Sequence, residues 1–319
     1  MSKTELYDLI IVGGGPGGLT AGIYAQRAAL KTVLIEKGLA GGQVNITEGV
    51  ENYPGFESIS GLDLSQKFLQ HAQSYGLEII HQEVGEVEPG LHFHTVRLAN
   101  GDLLNSHAVI LASGGSPRKL NIPGEMEYYG QGVSYCATCD GFFFRGKTVV
   151  VVGGGDTALE EALYLAKIAR RVFLVHRRDG FRGSRILQQR VAAEPLIEVL
   201  WNTVVTEILA NGEGVRGVVL KNKDSGSSQE LEADGVFIFI GFLPNNQLVP
   251  QGIKMDTDGY VITDEKCETN LLGIYAIGDL RQKYAKQIIT AAADGCTAAL
   301  AAALSVEIKK AERMTSKFL

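Results

Sequence analysis

Residues 9–18 read LIIVGGGPGG, and this stretch decides the fold. Four apolar residues come before a run of glycine, which is the pattern of a buried strand that ends in a tight turn. Residues 19–29 then have a helical pattern, and residues 32–36 read as a second strand. The order of strand, glycine turn, helix and strand predicts the start of a parallel, doubly wound α/β sheet.

The glycine turn predicts a dinucleotide site. Gly13, Gly15 and Gly18 have the spacing of the fingerprint in which the backbone approaches a pyrophosphate and the helix offers unpaired N–H groups. Glu36 ends the next strand, where a carboxylate accepts the hydroxyl groups of an adenosine ribose. The alternative is a glycine-rich turn that holds no ligand.

The same pattern returns about 140 residues later, where residues 148–152 lead into a second glycine turn and a second helical stretch. The strand that follows ends in His176-Arg177-Arg178 instead of a carboxylate. Guanidinium groups bind a 2′-phosphate through charge-assisted, bidentate hydrogen bonds, so this turn predicts NADPH in preference to NADH. A solvated basic loop is the alternative. The residues expected to bind NADPH are Gly153, Gly155, Asp156, Thr157, His176, Arg177, Arg178 and Arg182.

A pair of cysteines lies between the two turns, in the segment Cys136-Ala137-Thr138-Cys139-Asp140. No further cluster of cysteine and histidine completes a zinc site, so we expect a redox dithiol and no metal. At this spacing one sulfur attacks a partner disulfide and the other resolves the mixed disulfide. Asp140 is the candidate general acid and base, and a carboxylate that only caps the local backbone is the alternative.

Charge and hydropathy exclude several classes of partner. The net charge of −6 leaves no basic footprint for a nucleic acid. The first apolar run begins at Leu9, too early for a signal peptide, so a cytoplasmic protein is expected. The Ala-rich stretch 288–306 is interrupted by Asp294 and Gly295, which indicates a packed helix and no membrane span.

The motifs together resemble, in order and over essentially the whole chain, the low-molecular-weight, bacterial-type thioredoxin reductases. They are Gly13–Gly18, Gly41-Gly42-Gln43, Cys136–Gly141, Gly153–Ala158, His176–Arg182 and Gly278-Asp279. The resemblance implies a homodimeric enzyme that transfers hydride from NADPH to FAD, then reduces its own disulfide, then reduces thioredoxin or a thioredoxin-like dithiol protein.

Further site residues follow from the resemblance alone. It implies that Cys139 faces the flavin, that Cys136 attacks the substrate, and that Asp140 is the acid and base. Its FAD site adds several residues to the fingerprint glycines and Glu36: Gly42, Gln43, Asn52, Gly278, Asp279 and Gln287.

Sequence order predicts two Rossmann-like, three-layer nucleotide-binding domains, the second inserted into the first. Residues 1–117 and 245–319 would form the FAD domain, and residues 118–244 the NADPH domain that carries the dithiol. The dithiol and the nicotinamide both need the flavin, so we expect two domain orientations, with hinges near Ser116-Pro117 and Gly241–Pro244.

Other functions remain open at this level. A flavin-dependent dithiol oxidase would keep the cysteines without the basic residues at 177 and 178, and a flavin redox sensor would bind FAD without turnover. Ferredoxin- or flavodoxin-NADP reductases would not need the cysteines. Many relatives have arginine where this chain has Gln131, which leaves the partner open. His92 and His94 are expected at the surface of a hairpin.

Overall fold

The computed structural model describes residues 6–47, 49–212 and 214–316. The chain forms two compact units, the first made of Met1–Thr47, Ile59–Ser116 and Leu243–Leu319, the second of Glu48–Ser58 and Pro117–Phe242. The segment Glu48–Ser58 was expected in the first domain, but it groups with the second unit. A Cβ added to Gly49 would lie 2.6 Å from Cζ of Phe143, which shows how closely the segment packs there.

The described helices and strands are, in chain order, β1 (Leu6–Val12), α1 (Pro16–Arg27), β2 (Thr32–Ile35), α2 (Gly61–Ser74), β3 (Glu78–Ile80), β4 (Val84–Glu88), β5 (His94–Leu98), β6 (Leu103–Leu111), β7 (Gly115–Pro117), β8 (Val133–Ser134), α3 (Ala137–Asp140), β9 (Thr148–Gly153), α4 (Asp156–Ala166), β10 (Arg171–Val175), α5 (Arg185–Ala193), β11 (Ile197–Leu200), β12 (Thr203–Asn211), β13 (Gly214–Asn222), β14 (Ser228–Glu232), β15 (Gly235–Phe239), β16 (Phe242–Pro244), β17 (Ile274–Ala276) and α6 (Ile288–Ser316).

The first unit is built on a sheet with the order β3-β2-β1-β6, in which neighbouring strands are parallel. The early part of β6 pairs with β5 of the antiparallel hairpin β4–β5, and its last residues pair with the parallel strand β17. The carboxyl ends of β1, β2, β6 and β17 therefore lie at one edge of this sheet, and so do the segments that follow them.

Alternate residues of β1 face two different layers. Leu9 and Ile11 pack with helices α1, α2 and α6, whereas Ile10 and Val12 pack with the hairpin β4–β5 and residues of the C-terminal segment. Because both faces are covered, the strand reads as a continuous apolar run. The unit therefore has three layers, with helices on one side of the sheet.

The second unit repeats this arrangement around a parallel sheet with the order β11-β10-β9-β15-β8. Val149 and Val151 of β9 pack on α4, and Val150 and Val152 pack on β12 and β13 of the antiparallel sheet β12-β13-β14. These layers confirm the predicted fold class of two Rossmann-like units. The run 230–240 contains the end of β14, which belongs to the antiparallel sheet, and all of β15, which belongs to the parallel sheet.

The chain crosses between the units through β7 and β16, which pair with each other. These strands fall at the Gly/Pro segments that the sequence analysis singled out. Gly241, next to the crossing, has a φ of 126°, a conformation that favours glycine.

His94 corrects one expectation. It was expected at the surface, but it is buried, and burial together with Lys309 and His107 lowers its pKa to about 4. His92 is exposed and precedes β5, so the two rings do not share one face of a strand.

Helix α6 closes the core of the first unit. Its stretch Ile288–Ala311 is long and apolar enough to cross a membrane by length and composition, with a mean hydropathy of 1.5. The helix packs instead along α1, with Ala298, Ala299 and Ala302 in the shared core. A Cβ at Gly295 would overlap the carbonyl oxygen of Gly17, so the two helix backbones are in direct contact.

We expect Gly295→Ala to destabilise the first unit. Alanine favours an open helix by about 1 kcal/mol over glycine. At this position the added methyl group overlaps the Gly17 carbonyl and lies 3.0 Å from the Ala21 nitrogen, so packing decides the sign. The free energy of unfolding should fall by about 2 kcal/mol in urea denaturation followed by circular dichroism. Thr297→Ala, at an exposed position of the same helix, is the matched control. Equal stability of the two variants would disprove the close contact.

Candidate functional site

The first glycine turn has no room for side chains at two of its positions. Gly13 has a φ of 112°, and a Cβ there would overlap the carbonyl oxygen of Ala112 at the end of β6. A Cβ at Gly18 would overlap the carbonyl oxygen of Gly13. Glycine is therefore required at both positions for β1, β6 and α1 to approach one another.

The first turn of α1 is open in the way that a pyrophosphate requires. A Cβ at Gly15 would meet no atom within 4 Å. Gly15 is the N-cap residue of α1, and no side chain there accepts from the first N–H groups of the helix. No acidic residue lies in the first turn. The segment that carries Gly41 and Gly42 borders the same turn, because the Gly41 nitrogen donates to the Gly14 carbonyl at 2.7 Å. These features fit the phosphates of FAD.

Glu36 is bound to this turn by one carboxylate oxygen and to its own loop by the other. Oε2 accepts from the Gly14 nitrogen at 2.7 Å, and Oε1 accepts from the Gly38 nitrogen at 2.8 Å. Each oxygen has a further lone pair, so the carboxylate is held in place and still able to accept from a ribose hydroxyl.

Gly278 and Asp279 follow β17 and so reach the same edge of the sheet as Gly13. The Gly278 nitrogen donates to Oδ2 of Asp294 at 3.0 Å, and that carboxylate also pairs with Arg281 at 2.8 Å and Lys283 at 3.1 Å. Burial raises the pKa of Asp279, and the charges of Lys283 and Lys286 act against this effect. Sequence reasoning noted Asp294 only as a break in an apolar stretch, yet it is the residue that fixes the Gly278 turn.

The remaining predicted FAD residues have three different settings. Gln287 directly precedes α6, and its carbonyl accepts from the Ala291 nitrogen at 3.0 Å. A Cβ at Gly17 would lie 3.0 Å from the Ala291 carbonyl oxygen, so this end of α6 is close to the first turn of α1. Gln43 is exposed in the short 3₁₀ turn Gly42–Ile46. Asn52 is exposed and belongs to the segment that groups with the second unit.

The second glycine turn has the same open helix start. A Cβ at Gly155 would meet no atom within 4 Å, and α4 begins there without a side-chain cap. The loop that follows β10 is fastened to this turn, since the Gly154 carbonyl accepts from the Arg182 nitrogen at 2.8 Å. Asp156 accepts from the Ser184 nitrogen at 2.7 Å, so its carboxylate holds the far end of the loop.

His176 lies beneath the basic loop. Its ring is buried, with Nδ1 2.7 Å from the Gly153 carbonyl oxygen and Nε2 3.0 Å from the Gly180 carbonyl oxygen. Two aromatic rings pack on His176 and on each other at a centroid distance of 4.3 Å: Phe181, which belongs to the His176–Arg182 motif, and Trp201, which the sequence did not single out. The ring therefore supports the loop, whose exposed guanidinium groups fit the 2′-phosphate of NADPH: Arg177, Arg178 and Arg182.

The cysteine pair lies at the edge of the second sheet that also carries the second glycine turn. Strand β8 is parallel to β15, and β15 is parallel to β9, so the residues after β8 and β9 meet at one edge. Cys136 and Cys139 form a disulfide with a Cα–Cα distance of 5.3 Å. Cys136 stands at the start of the one-turn helix α3, and Thr138 Oγ1 is 3.5 Å from its sulfur.

Asp140 is held by Ser134, the last residue of β8, through a hydrogen bond of 2.5 Å from the serine hydroxyl to Oδ2. Burial and the Asp140 charge raise the pKa of Tyr129 to about 12, so its phenol is neutral at ordinary pH. Tyr129 packs against Tyr135, whose hydroxyl donates to the buried carboxylate of Glu125 at 2.8 Å. The hydrogen bond from Ser134 thus holds the Asp140 carboxyl in place beside the disulfide.

The aromatic run after the dithiol is divided between surface and core. Phe142 is 50% exposed and Phe143 is 39% exposed, whereas Phe144 is buried against the Phe237 ring at 5.1 Å. The run therefore offers two rings to the surface and one to the core of the second unit.

Comparison with known proteins agrees with this geometry. Residues 7–295 match the sequence model of the pyridine nucleotide-disulphide oxidoreductases. The chain is 45% identical over 299 residues to the thioredoxin reductase of Bacillus subtilis (strain 168), covering 94% of each chain.

Solved structures give the same family. The thioredoxin reductase of Streptococcus pyogenes MGAS5005 superposes with a TM-score of 0.91 at 41% identity, covering 95% of this chain and 98% of the other. The Lactococcus lactis thioredoxin reductase in its FR conformation superposes with a TM-score of 0.64 at 42% identity, covering 94% and 99%. With the glycine turns and the disulfide in place, the chain belongs to the pyridine nucleotide-disulphide oxidoreductases and, within them, to the thioredoxin reductases.

Proposed function

We propose that this chain is an NADPH-dependent thioredoxin-disulfide reductase. The observation that carries the proposal is the Cys136–Cys139 disulfide at the strand edge that also holds the Gly153–Gly155 turn. A coenzyme site and a reducible sulfur pair on one rigid sheet suit an enzyme that moves an electron pair from a nicotinamide to a protein disulfide. Neither an oxidase nor a ferredoxin reductase needs both features.

The family uses FAD and NADPH, and the two glycine turns suit these cofactors. Bound FAD supplies a carrier that takes a hydride from NADPH and passes an electron pair to the disulfide. In this chain the Gly13–Gly18 turn and Glu36 would hold the adenosine diphosphate part of FAD. Gly278, Asp279 and Gln287 would lie along the rest of it. The basic loop 177–182 would hold the 2′-phosphate of NADPH.

The partner follows from the relatives. Thioredoxin, or a protein with the same kind of exposed disulfide, is the substrate that we propose. The exposed rings of Phe142 and Phe143 beside the dithiol supply an apolar contact for it. A cytoplasmic location is proposed as well, because a disulfide that is reduced in each cycle suits a reducing compartment.

We also propose that the domains change orientation between the two half-reactions. Two solved relatives of nearly equal identity and coverage superpose on this chain with TM-scores of 0.91 and 0.64. Divergence of sequence does not account for this difference, which supports different arrangements of the parts within the family. The crossing strands β7 and β16 would be the hinges.

A homodimer is the assembly that we propose. Leu300, Leu304 and Ile308 lie one turn apart on α6, and each is more than half exposed. Apolar side chains at this spacing form one row on a helix, and a second copy of the chain would cover it.

The substitution Cys139→Ser should separate the two half-reactions. Reduction of the flavin by NADPH should persist, and it is measured as the loss of flavin absorbance in a stopped-flow instrument. Its reversal by oxidised thioredoxin should slow more than about 1,000-fold, because the internal disulfide cannot form. Cys296→Ser, a free cysteine of the first unit, is the control. Normal turnover of the Cys139→Ser variant would refute the proposal. Oxygen consumption with a dithiol and no NADPH would favour the oxidase.

The substitution Arg177→Ala should raise the KM for NADPH about 30-fold, the loss of about 2 kcal/mol from one charge-assisted contact. The KM for NADH should change less than about twofold, since NADH has no 2′-phosphate. Trp201 is the only tryptophan of the chain and packs on Phe181 beside the loop, so its fluorescence reports binding of 2′,5′-ADP independently of turnover. Arg190→Ala, on α5 of the same unit, is the matched control. A parallel rise for both coenzymes would remove the phosphate assignment.

The substitution Leu304→Glu should convert the dimer to a monomer in sedimentation velocity, because a charge would then lie in the apolar interface. Ile186→Glu is the control, since Ile186 is an apolar residue of nearly the same exposure that lies on α5 of the second unit. A Leu304→Glu protein that remains dimeric would place the interface elsewhere.

A further inference from the structure

Ser134 occupies a rigid position next to the disulfide. It is the last residue of β8, it is only 2% exposed, and it is in register with Phe237 of the buried strand β15. Ser134 is neither a proposed cofactor ligand nor one of the proposed reacting groups. Its hydroxyl nevertheless contacts both the dithiol backbone and the carboxyl beside it.

Three polar groups surround the Ser134 oxygen. The Cys136 nitrogen donates to it at 3.0 Å. The Cys136 carbonyl oxygen at 3.2 Å and Oδ2 of Asp140 at 2.5 Å are both acceptors for its hydrogen. A hydroxyl has one hydrogen and two lone pairs, so it donates to only one of these acceptors at a time.

The two choices correspond to the two protonation states of Asp140. When Asp140 is a carboxylate, the hydroxyl donates to Oδ2. When Asp140 is protonated on Oδ2, its O–H donates to the second lone pair of Ser134, and the serine hydrogen turns to the Cys136 carbonyl. Apart from the proton that Asp140 gains or loses, only the hydroxyl hydrogen moves between these states, and the heavy atoms can keep their places.

We propose that Ser134 is the positioning residue that holds Asp140 beside the dithiol in both protonation states. The proposal rests on the proposed function, in which Asp140 is the acid and base of dithiol exchange. Ser134 touches neither substrate nor cofactor in this role and acts through Asp140.

The exchange reaction requires both states of Asp140 in every turnover. As a carboxylate, Asp140 takes the proton of the Cys136 thiol, and the resulting thiolate forms a bond to one sulfur of the partner disulfide. The partner S–S bond breaks, and the released sulfur takes the proton from Asp140. Asp140 then takes the proton of the Cys139 thiol, and the Cys139 sulfur attacks Cys136. The internal disulfide forms, and the second partner sulfur leaves and takes that proton. Two electrons and two protons have passed to the partner.

The other titratable groups at the dithiol turn come from two neighbouring elements. Tyr129 lies in the loop before β8, and its phenol stays neutral because burial and the Asp140 charge raise its pKa. Glu161 of α4 accepts from the Ala137 and Thr138 backbone nitrogens, and burial raises its pKa. Together with the two cysteines, these are the groups besides Asp140 whose titration a pH profile of the exchange has to be separated from.

The test uses the FAD-loaded enzyme with oxidised thioredoxin over a range of pH. Ser134→Ala should leave reduction of the flavin by NADPH unchanged and slow the thioredoxin-dependent step about tenfold. The apparent pKa of that step should rise by about one unit, because the carboxylate loses a charge-assisted donor. Ser106→Ala is the matched control. Ser106 is a buried serine of the first unit whose hydroxyl donates to the Ala108 carbonyl, and its removal should leave the pH profile in place.

The double variant with Asp140→Asn decides whether the effect passes through Asp140. In that background Ser134→Ala should cause no further slowing, because the group that it positions no longer titrates. Full additivity of the two substitutions, or an unshifted pH profile in Ser134→Ala, would overturn the inference and leave the proposed function standing. A normal rate in Asp140→Asn alone would instead remove Asp140 from the proposed mechanism.

Discussion

The carboxyl ends of parallel strands meet at one edge of a sheet, and each functional segment of this chain depends on that constraint. In the first unit it brings Gly13, Glu36 and Gly278 to one edge, although Gly13 and Gly278 are far apart in sequence. In the second unit it brings the disulfide beside a coenzyme turn, because β8 adds to the sheet next to β15. Strand β8 is only two residues long, and it pairs through Val133 with Val236 and through Ser134 with Phe237. This short pairing thus sets the position of the reactive sulfurs.

Buried carboxylates do much of the local positioning. Asp294 fixes the Gly278 turn while neutralised by Arg281 and Lys283. Glu125 has no exposed surface, and it accepts from the Leu120 and Asn121 backbone nitrogens and from Tyr135. A buried carboxylate with several donors is stable only in one geometry, so such groups hold the backbone around a site in a single conformation.

The sequence predicted those parts of the site that depend on local backbone chemistry. A glycine turn between an apolar strand and a helix is recognised from a few adjacent residues, and so is an arginine that follows the next strand. The division of 230–240 into two strands was not predicted, because an apolar run reads the same in either sheet. Likewise His176 was predicted as a ligand, but the burial of its ring depends on Phe181 and Trp201, which approach it only in the fold.

By itself, the sequence determined the fold class, the two glycine turns and the redox pair, since each of these follows from residue types at short spacing. Only the tertiary structure decided which groups hold them in place. Asp294 reaches Gly278 and Ser134 reaches Asp140 because neighbouring elements pack at a few ångströms. Residue types alone do not predict such contacts, since they depend on how the helices and strands that carry these side chains pack in the core.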